Sequence, residues 1–277
     1  MQHRYLVSEL LQTITQELSQ SVERASREAQ LFVMEFLGVD ELWLITHPNT
    51  QVQKDLGQLF EWIARRKKNE PFEYIVQKVS FYSQEFYIDK GALIPRPETE
   101  LLIDEVIHNV ADSNTQQRFV EVGVGSGIIS IVLAQHFKHA TFIAVDISQE
   151  ALRVARKNIH KFNLQERIEL RESSFLDNVD EQIDYLVSNP PYIANDAALE
   201  SNLSYEPQNA LFGGEVGDEM IKKLLDEVLS QNIKFFSCEM GYDQKDKIQN
   251  YLADKRYKSL TFYKDYSGFD RGFTLKV

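Results

Sequence analysis

The chain has 277 residues, 43% hydrophobic and 26% charged, a composition typical of a globular protein with one large domain or a large and a small one. Its 30 basic and 42 acidic side chains give a net charge of −12, and such a surface repels a nucleic-acid backbone unless basic residues are concentrated in one patch. No apolar run approaches the roughly 18 residues of a membrane span, and the one cysteine, Cys238, excludes an internal disulfide and fits a reducing cytoplasm.

Residues 1–70 are predicted to form a small, all-helical domain. Apolar residues recur every four positions near the start and form a stripe on one helix face: Leu6, Leu10, Ile14 and Leu18. A second helix is predicted from Ala25 to Leu37, because Gly38 is a good C-cap residue. A short helix over 40–45 and a fourth helix over 50–68 complete the domain.

Residues 71–95 differ from the helical segment and are predicted to form a β-hairpin linker between two domains. Aromatic and β-branched side chains crowd the stretch between Pro71 and Gly91. Such side chains are enriched in strands, and proline and glycine commonly bound them.

Strands and helices alternate through residues 96–277. Helices are predicted at 98–110, 127–136, 149–162 and 217–230. Strands are predicted at RFVEVG (118–123), ATFIAVD (140–146), RIELRE (167–172), IDYLVSN (183–189) and KFFSCEM (234–240), with a closing hairpin formed by SLTFYKD (259–265) and GFTLKV (272–277). This alternation predicts a Rossmann-like α/β fold, in which helices cover both faces of a mostly parallel sheet.

A glycine-rich loop, EVGVGSG (121–127), follows the first of these strands and opens a helix. Glycines at alternate positions permit a tight turn and let a ligand approach the backbone closely. The pattern alone fits a dinucleotide dehydrogenase, an S-adenosylmethionine enzyme or a structural turn. Asp146 ends the next strand, where its carboxylate either accepts both hydroxyls of a ribose or lies at the start of the following helix.

Two features favour S-adenosylmethionine over a dinucleotide. The loop lacks the third glycine that the GxGxxG pattern of dinucleotide folds uses for close helix packing. In addition, the fourth strand ends in Asn-Pro-Pro-Tyr (189–192), which a dehydrogenase does not need.

The Asn-Pro-Pro-Tyr run suits the methylation of a planar amide or amine nitrogen. The lone pair of such a nitrogen is delocalised, so the nitrogen must pyramidalise before it attacks a methyl sulfonium. The side-chain carbonyl of Asn189 and the backbone carbonyl of Pro190 can each accept a hydrogen bond from one N–H of the acceptor, which favours the developing charge. Tyr192 offers a flat face to a planar acceptor. The alternative is a Pro-Pro turn with no chemistry.

At these residues the chain resembles the release-factor glutamine methyltransferases, the PrmC or HemK family. The resemblance extends over nearly all 277 residues. It is carried by LIPRPETELL (93–102), the glycine loop, Asp146, Asn-Pro-Pro-Tyr, YEPQNALFGGEVGDE (205–219) and KDYSGFDRGF (264–273). LIPRPETE is the most specific of these motifs, because Asn-Pro-Pro-Tyr is shared with DNA and RNA amino-methyltransferases.

The resemblance implies a cofactor, a site and a partner. S-adenosylmethionine is expected to contact Gly123, Val124, Gly125, Ser126, Gly127, Asp146, Phe175 and Asn189. The acceptor glutamine is expected on Asn189, Pro190, Pro191 and Tyr192, with Asn189, Pro190 and Tyr192 as catalytic residues. The substrate implied is the Gly-Gly-Gln loop of class I peptide-chain release factors, bound by the helical domain of residues 1–70 in the cytoplasm, without membrane or nucleic-acid contact.

The chain departs from the family pattern at several positions. Glu121 stands where relatives usually have Asp, and Val124 replaces a common Thr or Cys. Ser174 stands where a carboxylate often faces the adenine amino group, and Phe175 stands where Trp is frequent. Phe175 can still stack on adenine, whereas Ser174 accepts only a weaker hydrogen bond.

Two other functions are compatible with these motifs. A DNA or RNA amino-methyltransferase would use Asn-Pro-Pro-Tyr in the same way, but the acidic balance of residues 81–277 and the lack of an evident target-recognition insert disfavour it. A non-catalytic S-adenosylmethionine-binding protein is disfavoured by the intact Asn189 and Tyr192. No metal site is expected, because the six histidines lack ligand spacing with cysteine or carboxylates.

Overall fold

The computed structural model describes residues 5–111, 116–198 and 203–277. The chain forms two compact units. The first contains the described residues up to Gln77 and the 3-10 turn Leu203–Tyr205, and the second contains the other described residues. Across these ranges, no helix combines the length and the apolar character needed to cross a membrane.

The first unit is helical, as predicted. Its helices are α1 (Val7–Leu18), α2 (Ala25–Leu37), α3 (Glu41–Thr46), α4 (Gly57–Arg66) and α5 (Phe72–Val76). The apolar stripe is confirmed for Leu10, Ile14 and Leu18, which are fully buried in the core of this unit, whereas Leu6 precedes α1 and is half-buried. Gly38 ends α2 in the left-handed conformation, with a φ of 74°, and its N–H donates to the carbonyl of Met34.

The fourth helix begins later than predicted. It starts at Gly57 rather than near Thr50. Leu6 and Gln51 form an isolated antiparallel bridge, and the N–H of Val52 donates to the carbonyl of Tyr5 at 2.9 Å. This pairing holds the backbone around Gln51 in an extended form, so a helix cannot include it.

The strand prediction is wrong for residues 72–76, which form α5. Tyr74 and Ile75 are almost fully buried, and Ile75 belongs to the apolar core of the helical unit. The aromatic and β-branched side chains here therefore reflect burial rather than strand pairing, a case in which packing overrides intrinsic preference. Gln77 ends α5 with a φ of 58°.

The predicted hairpin is present but shorter than residues 71–95. It consists of β1 (Lys78–Phe81) and β2 (Gln84–Tyr87), which pair antiparallel. Tyr82 and Ser83 join them with φ values of 51° and 57°. Positive φ at both central residues matches the right-handed twist of a two-residue hairpin.

The second unit contains the hairpin and the alternating elements. Its remaining helices are α6 (Thr99–Asn109), α7 (Ile128–His136), α8 (Gln149–Lys161), α9 (Glu219–Ser230) and α10 (Lys245–Tyr251). Its remaining strands are β3 (Arg118–Val122), β4 (Thr141–Asp146), β5 (Ile168–Glu172), β6 (Tyr185–Ser188), β7 (Ile193–Ala194), β8 (Phe212–Gly214), β9 (Phe235–Glu239), β10 (Ser259–Lys264) and β11 (Asp270–Lys276). The short α10 and the β7–β8 pair were not predicted.

The central sheet confirms the predicted α/β fold. Its strand order is β10-β11-β9-β6-β3-β4-β5. Strands β5, β4, β3, β6 and β9 are parallel to their neighbours, whereas β11 and β10 close the sheet antiparallel, as the predicted final hairpin requires.

The strand order determines where a ligand can bind. After β3, the chain forms β4 and β5 on one side of β3, and β6 then pairs with β3 on its other side. In an open α/β sheet, the crevice beyond the carboxyl ends of the strands at such a switch point is the usual binding site. The glycine loop follows β3 there, and Asn189 follows β6.

Candidate active site

The glycine loop turns sharply at the end of β3. The N–H groups of Gly123 and Val124 both donate to the carbonyl of Val145 in β4, at 2.9 and 3.0 Å. Gly127 has a φ of 81°, and a Cβ there would lie 3.2 Å from the Cβ of Ala155 in α8. Gly127 therefore allows the start of α7 to pack closely against α8, and the cofactor contact that the resemblance implies for it stays a prediction.

A cavity of about 310 Å³ opens beside this loop in the second unit. The predicted site residues that line it are Gly123, Val124, Gly125, Ser126, Asp146, Phe175, Asn189, Pro190 and Pro191. Gly127 and Tyr192 are not part of the lining. Leu93, Pro95 and Thr99 also line the cavity, so the LIPRPETE motif borders the same space.

Asp146 is held by the backbone around it. One carboxylate oxygen accepts from the N–H of Gly125 at 3.0 Å, and the other accepts from the N–H of Ser148 at 2.9 Å. Burial raises the pKa of Asp146, and these backbone donors oppose that shift. The side-chain cap of α8 is Ser148, whose hydroxyl accepts from the N–H of Ala151, so Asp146 is not the capping residue. Each oxygen of Asp146 keeps a lone pair for a ligand hydroxyl.

Glu121 is the most strongly perturbed carboxylate in the cavity wall. Its side chain is buried in β3, and the N–H and hydroxyl of Ser130 both donate to its Oε2. Its Oε1 has no hydrogen-bond partner among the described residues. Burial raises the pKa of Glu121 to about 8, and the charge of Asp146 adds to the shift. A buried carboxylate oxygen without a partner is an acceptor for a cationic ligand group.

In the sequence, Glu121 was marked only as a departure from the family pattern. Its position at the start of the glycine loop, two residues before Gly123, was the available signal, because a strand residue so near a ligand-binding turn lies close to the ligand. The burial and the unpartnered oxygen are visible only in the structure.

Phe175 and Ser174 lie on the loop after β5, and both line the cavity. Phe175 has a φ of 51°, and the Nζ of Lys223 lies 3.9 Å from the centre of its ring. This is a cation–π distance. Ser173 stabilises the loop, since its hydroxyl accepts from the N–H of Asn178 at 3.0 Å.

Asn189 is held by a residue that the sequence did not single out. Its Nδ2 donates to the hydroxyl oxygen of Thr99 at 3.1 Å, and that hydroxyl donates to Oε2 of Glu239 at 2.7 Å. Among the described residues, the Oδ1 of Asn189 has no partner. The Asn189 carbonyl is therefore free to accept from a ligand. Thr99 lies in the LIPRPETELL motif, whereas Glu239 ends an apolar strand and gave no signal of its own.

Tyr192 does not present its ring to the cavity as expected. It packs against the core of the second unit, and its hydroxyl donates to Oε1 of Glu239 at 3.1 Å. Burial is the main cause that raises the pKa of Tyr192, and the charge of Glu239 adds to it. Tyr192 therefore supports the loop through Glu239.

The loop after β6 is locked by close backbone packing. A Cβ at Gly213 would lie 2.4 Å from the carbonyl oxygen of Pro191, so only glycine fits in β8 at this point. The Nε2 of Gln244 donates to the carbonyl of Tyr192 at 3.1 Å and to that of Gly217 at 3.0 Å. These contacts fix the backbone at Pro191 and Tyr192, directly after Pro190.

Comparison with known proteins gives matches over most of the chain. Residues 9–76 match the PrmC N-terminal domain, and residues 96–211 match the methyltransferase small domain. A release factor glutamine methyltransferase of Clostridium acetobutylicum is 31% identical over 253 residues, covering 88% of each chain. The same enzyme of Dictyoglomus turgidum is 39% identical over 260 residues, covering 90% of each chain.

Solved structures match the fold. The hMettl16 catalytic domain in complex with an RNA hairpin of MAT2A gives a TM-score of 0.56 at 16% identity, over 69% of this chain and 74% of the other. The N-terminal domain of human METTL16 in complex with SAH gives a TM-score of 0.51 at 18% identity, over 69% and 75% of the two chains. At such identities the likeness establishes the fold alone.

Proposed function

Because the chain belongs to the release factor glutamine methyltransferase family, we propose that it methylates the side-chain amide nitrogen of a release-factor glutamine with S-adenosylmethionine. The proposed acceptor is the glutamine of the Gly-Gly-Gln motif in class I peptide-chain release factors. The observation that carries the proposal is the carbonyl of Asn189 at the wall of the cavity, which has no hydrogen-bond partner in the described part of the chain, while its NH₂ group is held by Thr99.

The acceptor chemistry follows from two fixed carbonyls. Asn189 offers its side-chain oxygen and Pro190 offers its backbone oxygen, and each can accept one N–H of the glutamine amide. A hydrogen bond from each N–H to one of these carbonyls orients the nitrogen. The two bonds also stabilise the positive charge that develops as the nitrogen is alkylated. The product nitrogen loses its proton readily, because a protonated N-alkyl amide is a strong acid.

The residues around the cavity fit S-adenosylmethionine. When bound, it supplies an electrophilic methyl group on a positively charged sulfur. We assign the ribose hydroxyls to Asp146, the adenine ring to Phe175 and Ser174, and the backbone contacts to the glycine loop. The unpartnered oxygen of Glu121 is a suitable acceptor for the ammonium group of the methionine part.

We propose that residues 1–70 bind the body of the release factor. These residues fall within a compact unit that has its own apolar core. Among the described residues, those that line the cavity all belong to the second unit. A division between factor binding and chemistry is consistent with both facts.

The hairpin of residues 78–87 packs within the second unit. There the side chain of Asn158 accepts a hydrogen bond from the N–H of Tyr87 and donates one to its carbonyl.

The test is transfer of a labelled methyl group to defined acceptors. A class I release factor, the same factor with its motif glutamine replaced by alanine, duplex DNA and ribosomal RNA fragments are incubated separately with the enzyme. We expect label only on the unmodified factor, and mass spectrometry of its peptides should place the methyl group on the motif glutamine. Equal or faster labelling of DNA or RNA would overturn the proposal.

A further inference from the structure

We propose that Glu239 is a positioning residue that determines which end of the Asn189 amide faces the acceptor. The proposal rests on the acceptor-binding role of Asn189 proposed above. Glu239 acts through the hydroxyl of Thr99 and does not itself touch the ligand.

Three elements bring the participating groups together. Thr99 begins α6, Asn189 follows β6, and Glu239 ends β9. Thr99 is 4% exposed and Glu239 is 1% exposed, so water does not compete for their hydrogen bonds. The distance between Glu239 Oε2 and Thr99 Oγ1 is 2.7 Å, and the distance between Thr99 Oγ1 and Asn189 Nδ2 is 3.1 Å.

The number of protons on each group determines the direction of these bonds. The hydroxyl of Thr99 donates its single proton to Oε2 of Glu239, and an ionised carboxylate at this position can only accept. The oxygen of Thr99 can then only accept from Asn189, and only the NH₂ end of the amide can donate. The carbonyl end of Asn189 is consequently turned away from Thr99 and left for the acceptor N–H.

The hydrogen bonds around Glu239 place it as an acceptor. The hydroxyl of Tyr192 donates to Oε1, and the hydroxyl of Thr99 donates to Oε2. Burial raises the pKa of Glu239 and Glu98 adds to the rise, whereas the two hydroxyls and the positive charge of Arg271 oppose it. With two hydroxyl donors aimed at its two oxygens, the side chain is arranged as an acceptor.

Replacing Glu239 by glutamine removes the obligatory acceptor with little change in shape, because an amide can turn either its oxygen or its NH₂ group towards Thr99. A glutamine NH₂ can donate to the oxygen of Thr99, and the Thr99 proton can then point to Asn189. Asn189 would in that case turn its carbonyl to Thr99 and its NH₂ group to the acceptor glutamine. The NH₂ groups of Asn189 and of the glutamine would then face each other, and neither can accept a hydrogen bond from the other. Thus Glu239→Gln should disable the acceptor site without altering the cofactor site.

The experiment measures kcat on a release factor. It also measures by calorimetry the Kd for S-adenosylmethionine, the methyl donor (the donor Kd). We expect Glu239→Gln to lower kcat at least tenfold and to change the donor Kd less than threefold. Thr99→Val removes the hydroxyl that links Glu239 to Asn189 and should also lower kcat at least tenfold. Thr99→Ser keeps this hydroxyl and should keep kcat near that of the wild type. Ser237→Ala is the matched control in β9, since its buried hydroxyl has no partner among the described residues, and it should retain kcat.

A double-mutant cycle separates positioning from general damage to the fold. In the Asn189→Ala background, Glu239→Gln should lower kcat no further, because the amide that it orients is gone. If the factors by which the two single substitutions lower kcat multiply in the double variant, the proposal is overturned. If Glu239→Gln does not fold, the Thr99→Val and Thr99→Ser pair decides, and equal kcat for the two would overturn it. Wild-type kcat in Asn189→Ala alone would instead refute the proposed function of the site.

Discussion

The guanidinium of Arg96 donates to the carboxylate of Glu206 at 2.6 Å, although 110 positions separate the two residues. The other oxygen of Glu206 accepts from the N–H of Ile94 at 3.0 Å. Glu206 is 5% exposed, so its carboxylate and the bond from Ile94 lie in the interior of the second unit, whereas the bond from Arg96 is partly buried. They join the LIPRPETE segment to the segment that follows Asn-Pro-Pro-Tyr, and this connection gives a physical reason for the presence of both motifs in one protein.

We predict that Arg96→Ala lowers the free energy of unfolding by about 2 kcal/mol, because Glu206 is left as a buried carboxylate with one donor fewer. The loss is smaller than for a fully buried pair, since the side chain of Arg96 is 31% exposed. Urea denaturation measures it. As the control, Lys255→Ala removes an exposed pair with Asp226 and should cost under about 1 kcal/mol. Equal losses in the two variants would contradict the prediction.

The carbonyl of Asn189 should carry a large share of transition-state stabilisation. We expect Asn189→Ala to lower kcat about 100- to 1000-fold, the usual effect of losing a preorganised partner of developing charge. The donor Kd should change little, because we assign donor binding mainly to the glycine loop, Asp146 and Phe175. Asn189→Asp retains an oxygen acceptor and should keep part of the activity. Single-turnover kinetics and calorimetry measure the two quantities, and a variant that loses donor binding as strongly as kcat would show that the assignment is wrong.

Glu121 should make the ligand-free protein less stable as the pH rises. Its pKa is about 8 in the folded state and near 4.5 when unfolded, so between these values the folded state binds more protons. The stability that protonated Glu121 contributes is present below about pH 4.5 and is lost as the pH rises towards 8. The slope from this one group is at most about 1.4 kcal/mol per pH unit.

Denaturation of the wild type and of Glu121→Gln at several pH values from 5 to 8 tests this. The variant should lose less stability over this range than the wild type, because its amide does not titrate. Asp146 and Ser130, the groups that influence the pKa of Glu121, remain in both proteins. Parallel stability curves would mean that Glu121 does not titrate in this range.

Removal of residues 1–77 should weaken binding of the release factor more than binding of the donor. We expect the KM for the whole factor to rise at least tenfold, because the proposed binding domain is lost, while the donor Kd stays within a few-fold. The donor Kd also reports whether the remaining unit is folded. A short Gly-Gly-Gln peptide serves as the control acceptor and should be methylated with similar kcat/KM by both proteins. If activity on the factor and on the peptide falls equally, the division of labour is wrong.

Local patterns in the sequence determined the fold class and most element bounds. The alternation of strands and helices after residue 96 was visible because period-two and period-3.6 patterns extend over whole elements. Gly38 ended α2 as predicted, since the left-handed conformation favours glycine through purely local sterics. The glycine loop and Asn-Pro-Pro-Tyr were recognisable because each is a contiguous run whose chemistry depends on neighbouring residues.

Tertiary structure alone decided the features that depend on distant partners. Residues 72–76 form a helix that packs Phe72, Ile75 and Val76 against the core of the first unit, and composition does not distinguish such packing from strand pairing. Tyr192 turned towards Glu239 instead of the cavity, and Thr99 met Glu239 across 140 positions. A hydroxyl or carboxylate in the sequence does not reveal which group it will contact. That choice is made when the sheet brings the ends of β6 and β9 beside the start of α6.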